Sequence, residues 1–573
     1  MVVGRSDVKL GGKLFSRYKN AGPNGLQRAL SSFNTLKMVS LAVILLFFML
    51  YPVSSVDVAQ LEDLSNETRS CLNCHQKHTP GLVEDWRSSE HALNTPAGAF
   101  QKDRIERKVS VNYISYISSE YRNNVVGCYE CHSQNTEEHN DSFTHFGYRI
   151  NVVVSPNDCS TCHPVERDQY SDTVKAHAYN NLEKNSLYKT LYETMTTVYS
   201  ANGTELTPDY SPSSAHNETC FACHGTKLSV NGIREVERSG VNIKVPNIQG
   251  WPNQGVGRIN PDGSEGSCTA CHPRHGFDIS TARKPYTCGQ CHYKPDVPAY
   301  NVYKQSKHGN IFFSEYNKWN FSSVPWTVGE DFTAPTCSAC HNSLVVDKAG
   351  NVVSERTHDF DSRIWVRLFG IYSHPQPING STYKIVNEDD QPLPTTLTGE
   401  PASKYLISEQ EQAERKEKMK KVCIQCHSTE WVENHFEEIQ NTNNETDRMV
   451  LEATKLMSTG WEKDVAEGLP SNSNPFDEHL ERLWVDQWLF YATSSRHASA
   501  MMGPEILTFE LGWSKLTNNL YTMSEYIDTR SSIQNRTNEQ TDNQDSQLPG
   551  FEAYLVGGAV MASLAIIIWR RRT

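Results

Sequence analysis

Residues 268–292 read Cys268-Thr-Ala-Cys271-His272-Pro-Arg-His275-Gly-Phe277-Asp-Ile-Ser-Thr-Ala-Arg-Lys-Pro-Tyr-Thr-Cys288-Gly-Gln-Cys291-His292. Two Cys-x-x-Cys-His units bracket this stretch. Working outward, six more appear: Cys71/Cys74/His75, Cys128/Cys131/His132, Cys159/Cys162/His163, Cys220/Cys223/His224, Cys337/Cys340/His341 and Cys423/Cys426/His427. Together they use all sixteen cysteines of the chain. Zinc sites vary their ligand spacing, and a disulfide framework has no reason to place histidine after every second cysteine. The pattern is the attachment signature of c-type haem: two thioethers to the porphyrin and the adjacent histidine on the iron. The sequence therefore predicts eight covalent haem c groups. No thiol is left over for thiol catalysis.

Eight such groups make this an electron-handling protein. They also account for an apolar content of only 37%, because porphyrins supply core that the residues do not. A formal charge of −13 argues against nucleic acid as a partner. The expected partners are redox proteins, either other c-type cytochromes or membrane electron carriers.

The remaining histidines decide which irons are open. Of 21 histidines, eight follow a cysteine pair. Seven others, His91, His177, His275, His308, His358, His435 and His497, sit in contexts suited to a second axial ligand. His139, His145 and His216 are weaker candidates. An iron with two histidines is saturated and only relays electrons, whereas one with a single histidine can bind substrate. Seven candidates for eight haems suggest one open site.

The chain reads as a leader and signal peptide over 1–59, with an apolar run at 40–53 preceded by Arg28 and Lys37. Met38 is a candidate start, and an uncleaved anchor is the alternative. A haem-binding region with seven motifs spans 60–408. Residues 409–528 carry the eighth motif and helix-favouring patterns: charged residues at 409–421, then spaced Met449, Leu451, Leu456, Met457 and Trp461. A polar linker covers 529–547. The last segment, 548–573, holds Pro549-Gly550-Phe551, an apolar stretch and three arginines. It is either a tail anchor or a processed sorting signal, since it resembles the archaeal Pro-Gly-Phe type. Either reading places the body outside the cytoplasmic membrane, tethered by its C-terminus. Eight Asn-x-Ser/Thr sequons, the first at Asn66, fit a glycosylated surface protein. The fold class expected is mainly α: loops and short helices wrapped on haems, then long C-terminal helices.

The central block, with Ser306-Lys-His308-Gly, Trp251-Pro-Asn-Gln-Gly-Val-Gly-Arg258-Ile-Asn-Pro-Asp-Gly-Ser264 and Thr357-His358-Asp359, resembles the octahaem hydroxylamine oxidoreductase family over roughly residues 65–525. That resemblance implies an open fourth haem, here on Cys220, Cys223 and His224. It implies seven bis-histidine relay haems, a homotrimer built on C-terminal helices, and small inorganic nitrogen substrates. Two departures stand out. Oxidising members carry a cross-linking tyrosine after the last distal histidine, but here no tyrosine lies between Tyr491 and Tyr521, and Leu507 or Phe509 takes its place. Where the family has Asp-His-Pro, this chain has Asp296-Val297-Pro298, keeping the acid and losing a proton-donating histidine. The candidate catalytic residues are thus His224, Asp296 and His275, with Tyr286 or His216 as possible compensation. The expected function is multi-electron reduction of nitrite, nitric oxide or hydroxylamine. A non-enzymatic electron conduit and hydroxylamine or hydrazine oxidation are the alternatives.

Overall fold

Helices dominate the chain, and the longest lie at its C-terminal end. The computed structural model describes residues 63–545, apart from Ser239, Pro504 and the side chains of Glu505 and 538–545. The leader, Met38 and the Pro-Gly-Phe segment lie outside the described residues. From Ser65 onward the described residues form one compact unit.

Up to residue 408 the helices are short and separated by loops. Many start on a side-chain cap: Ser65 accepts from the Thr68 amide, Ser89 from Ala92 and Ser306 from Gly309. Between them stand antiparallel hairpins that composition did not announce. Strands β1 (Ser142–His145) and β2 (Tyr148–Asn151) are joined through Phe146 and Gly147, both at positive φ (47° and 92°). That is the geometry a two-residue hairpin turn requires. Strands β3 (Val198–Asn202) and β4 (Glu205–Tyr210) form a second hairpin, and β5 (Ser229–Arg238) and β6 (Val241–Gln249) a longer third. The last two flank the fourth motif on either side in sequence.

Beyond residue 408 the texture changes. Helix α1 (Glu409–Cys423) is capped by Ser408, and α2 (Thr429–Glu462) by Ser428. Helix α2 begins well before the apolar spacing that marks it in sequence. The reason is that its buried face includes Asn443 and Thr446, which break the hydrophobic pattern, and Thr446 bonds Ser495 across the packing at 3.1 Å. A helical run over 479–500, wider-wound between Asp486 and Ala492, then packs against α2, as does α3 (Ser514–Asp545). Val450, Met457, Trp461, Leu480, Trp484, Leu516 and Met523 form the core there. Helix α3 continues through the first seventeen residues of the stretch read as a linker, because 529–545 contains no proline or glycine to stop it. Among the described residues no helix is long and apolar enough to cross a membrane.

Candidate haem-binding relay and active site

A Cys-x-x-Cys-His unit wound as one helical turn puts its two sulfurs three positions apart on one face, with the imidazole beside them. Cys128–His132, Cys220–His224 and Cys337–His341 each form such a turn. The first motif lies inside the helix Asn66–His78, and the eighth begins at the end of α1.

Two imidazoles on one iron, each at about 2 Å, place their ring centroids roughly 6 Å apart. Four ring pairs have this spacing: His75 with His145 at 6.3 Å, His163 with His91 at 6.2 Å, His272 with His358 at 6.4 Å, and His427 with His308 at 6.1 Å. Other imidazoles lie close enough to sense each other's charge: His132 with His275, and His292 with His497, His341 and His224. None of the ring pairs at axial spacing includes His224 or His341 among the described residues.

The hydrogen bonds select the tautomer that a metal needs. Nδ1 of His132 donates to Asn151 O (2.7 Å), Nδ1 of His163 to Lys108 O (3.1 Å), Nδ1 of His224 to Ala178 O (3.2 Å) and Nδ1 of His497 to Thr493 O (2.8 Å). A carbonyl only accepts, so each neutral ring keeps its Nε2 lone pair free. Burial pushes His91, His272, His308 and His497 down to about 4, which keeps them neutral at physiological pH.

A cavity of about 1670 Å³ runs past motifs two to eight. Its lining includes Cys131, Cys159, Cys220, Cys268, Cys288, Cys337 and Cys423, together with apolar side chains. Free thiols here stand in for the thioether sulfurs of attached haems. Their contacts chart how the haems succeed one another. Cys71 neighbours Cys128, and Cys131 neighbours Cys162. Cys159 neighbours Cys268, Cys271 neighbours Cys288, Cys223 neighbours Cys291, Cys288 neighbours Cys337, and Cys340 neighbours Cys423. The order is 1-2-3-5-6-7-8, with motif four branching from motif six. Cys74 and Cys426, at the two ends, are exposed, while the other fourteen cysteines are half-buried. These residues fit covalent haem: paired sulfurs, neutral imidazoles and a continuous apolar channel.

The fourth motif has a different neighbourhood. The Asp296 carboxylate acts electrostatically on Cys220, Cys223 and His224 and lines the same cavity. Its loop is held on both sides: Lys294 N donates to Asn301 Oδ1 (3.0 Å), and Tyr300 N to His292 O (2.9 Å). Val297 N donates to Asp296 Oδ1 at 3.1 Å, leaving Oδ2 without that bond. Opposite in sequence, Gly225 at φ 91° touches the Arg258 backbone, where any Cβ would collide. The loop 253–258 is thereby clamped onto the motif.

Not every expected site residue is brought together. His275 lies with His132, Arg274 and Asp85, not at the fourth motif, because the chain after Arg274 turns toward the segment around His91, whose ring meets Phe277 at 5.2 Å. It stands beside the second-motif histidine and away from Cys220. His177 gives Nδ1 to Glu265 at 2.5 Å, and His435 lines the cavity with a buried Nε2 that has no hydrogen-bond partner. His216 bonds Ser211 (2.7 Å) and packs on Tyr192. Tyr286 is 44% exposed and packs on Phe312 and Phe313. His145 was only a weaker candidate, yet it stands opposite His75. His374, wholly buried with Nδ1 on Pro375 O (2.7 Å) and a partnerless Nε2, had no signal in the sequence. His139 is no ligand candidate in this structure. Burial opposes its charge, but hydrogen bonds to Asp141 and Asp158 outweigh burial and hold it up at about 10.

Comparison with known proteins agrees with this geometry. Residues 261–363 match the family model "Seven times multi-haem cytochrome CxxCH", and 158–243 match "Cytochrome c554 and c-prime". A solved "Hypothetical multiheme protein" is 41% identical, with a TM-score of 0.78, covering 83% of this chain and 98% of its own. A probable nitrite reductase-hydroxylamine oxidoreductase fusion protein of Kuenenia stuttgartiensis is 24% identical over 411 residues, 71% of this chain. The match spans only 39% of that relative's length. The reducing HAO-like protein complex Kustc0457/Kustc0458 of Kuenenia stuttgartiensis shares the fold at 16% identity, with a TM-score of 0.54 over 83% of this chain and 87% of its own. The chain belongs to the multihaem c-type cytochromes, with the hydroxylamine-oxidoreductase-like proteins among its relatives, and it binds haem covalently.

Proposed function

We propose that this chain binds eight haems, seven relaying electrons and the fourth reducing nitrite, nitric oxide or hydroxylamine. The observation that carries the reading is at the fourth motif: the Asp296 carboxylate acts on His224, and among the described residues no imidazole stands at axial spacing from that ring. His145, His275, His91, His358, His497 and His308 would ligate the first, second, third, fifth, sixth and eighth irons. His435 is the candidate for the seventh.

A bound haem at His224 supplies a coordination position for the nitrogen compound and the electrons for its reduction. The protein's part is orientation and protons. Ala178 O fixes the His224 ring. Asp296, held by Val297 N at Oδ1, would be the group that relays protons to a nitrogen compound bound at this haem. A positioned general acid typically contributes 10²–10⁴-fold. The absence of a tyrosine between Tyr491 and Tyr521 favours reduction over oxidation within the resemblance. The test supplies a low-potential dye with nitrite or hydroxylamine, then an oxidising dye with hydroxylamine. Reductive turnover that falls in Asp296→Asn supports the assignment. Turnover with the oxidising dye alone overturns it.

A second reading, an electron conduit, is favoured by the exposed motif ends at Cys74 and Cys426. It holds if all irons are low-spin and none binds nitrite. We further infer an exported, C-terminally tethered homotrimer. Exposed Ile506, Phe509, Tyr521 and Ile533 offer α3 and the segment before it as the interface. Monomers in light scattering would refute the trimer.

A further inference from the structure

The stretch 251–264 carries a charge that the polypeptide does not balance. Arg258 is 1% exposed. Its Nε donates to Asn260 Oδ1 (2.7 Å) and its Nη1 to Asn253 O (3.0 Å), both neutral acceptors. Its guanidinium stacks on Trp251 at 5.5 Å, and that of Arg274 lies on the same ring at 4.6 Å. The two cations repel each other, and burial with that repulsion pushes Arg258 down to about 10, leaving it charged at neutral pH. The acids in this part of the fold are committed elsewhere. Asp141, Asp158 and Asp262 surround His139, and Glu265 pairs with His177 and Asn180. The ionisable groups that do favour its charge are Cys268, Tyr170 and Cys159. Once haem is attached, both sulfurs are thioethers and carry no charge.

A buried guanidinium without a counter-charge is costly, and arginine binds carboxylates through a planar fork. Arg258 lies between the third and fifth motifs, whose Cys159 and Cys268 touch. We propose that Arg258 and Arg274, stacked on Trp251, form a carboxylate-binding cleft for the propionate side chains of the haems at these two motifs. Arg258 thereby holds up the reduction potential of that pair. It is a positioning residue: its positive charge favours the reduced haem, which carries one more electron. The inference rests on haem attachment at motifs three and five and is independent of the direction of catalysis at motif four.

The same cleft chemistry would also suit a free small anion, so the experiment needs arms for both sources. Spectroelectrochemical titration of the holoprotein is compared for wild type, Arg258→Met, Arg258→Lys and Arg274→Met, with haem content checked by mass. Each is titrated with and without inorganic phosphate. In Arg258→Met at least one low-spin component should favour the oxidised form about tenfold more at fixed potential, a negative shift of about 59 mV for one electron. Arg258→Lys should shift less, and wild type should ignore phosphate. Should Arg258→Met lose haem, Arg274→Met must shift in the same direction for the proposal to stand. Unchanged potentials in haem-replete Arg258→Met, or wild-type potentials that follow phosphate, would overturn it, the latter in favour of a free anion.

Discussion

His272 and His358 face each other with ring centroids 6.4 Å apart and planes 28° from parallel. They are 86 residues apart in the chain, yet their spacing is what a shared iron would demand. The His358 amide is fixed by Gln169 Oε1 at 2.8 Å, which ties His358 to the segment after the third motif.

Replacing His358 by alanine should therefore convert one low-spin iron to high spin without changing the number of attached haems. Electron paramagnetic resonance, with a mass measurement on the same sample, checks this. An unaltered low-spin count would remove His358 from the ligand set.

The pairs themselves were only partly legible in the sequence. Motif histidines are announced by their cysteines, and His91, His308, His358 and His497 by local context. His145 lacks such a signal because its role depends on a hairpin turn at Phe146 and Gly147. His275 was legible both as a ligand and as a catalytic candidate, but its position beside His132 rather than the fourth motif was not legible, since it depends on how the chain turns after Arg274. The start of α2 was hidden by Asn443 and Thr446, polar residues buried on an otherwise apolar face. Asp296 was legible only through resemblance; its proximity to Cys220 is a tertiary fact.

Glu481 makes stability depend on pH. It is completely buried and accepts from Trp461 Nε1 at 3.1 Å, and burial pushes its carboxyl up to about 7. A raised folded value means the proton-bound form is favoured on folding. The contribution is full below the unfolded value of about 4.5 and is lost as pH rises toward 7. Glu481→Gln should narrow the difference in melting temperature between pH 5 and pH 8. An unchanged difference would contradict this account.

Arg496 is another buried cation, but one with its own partner. It donates to Asp447 Oδ1 (2.6 Å) and to the carbonyls of Leu368, Gly370 and Ile371. Removing one member of a buried pair costs about 3–5 kcal/mol. Asp447→Ala should lose close to that amount, read by denaturant unfolding of the holoprotein. A loss below about 1 kcal/mol, the range of an exposed ion pair, would refute the buried pairing.

His139 is expected to stay protonated between its aspartates. His139→Leu would leave Asp141 and Asp158 buried without a cation, and should cost stability at neutral pH by a similar few kcal/mol. The penalty should shrink as acid neutralises the carboxylates. A penalty that does not change with pH would show that packing, not charge, is lost.

The central claim is that the haem at His224 has an open position beside Asp296. Nitrite or cyanide added to the oxidised holoprotein, followed by electron paramagnetic resonance, tests it most directly. The account predicts one high-spin signal that disappears on ligand binding while the low-spin signals stay unchanged. Eight low-spin irons, none responding to either ligand, would contradict it.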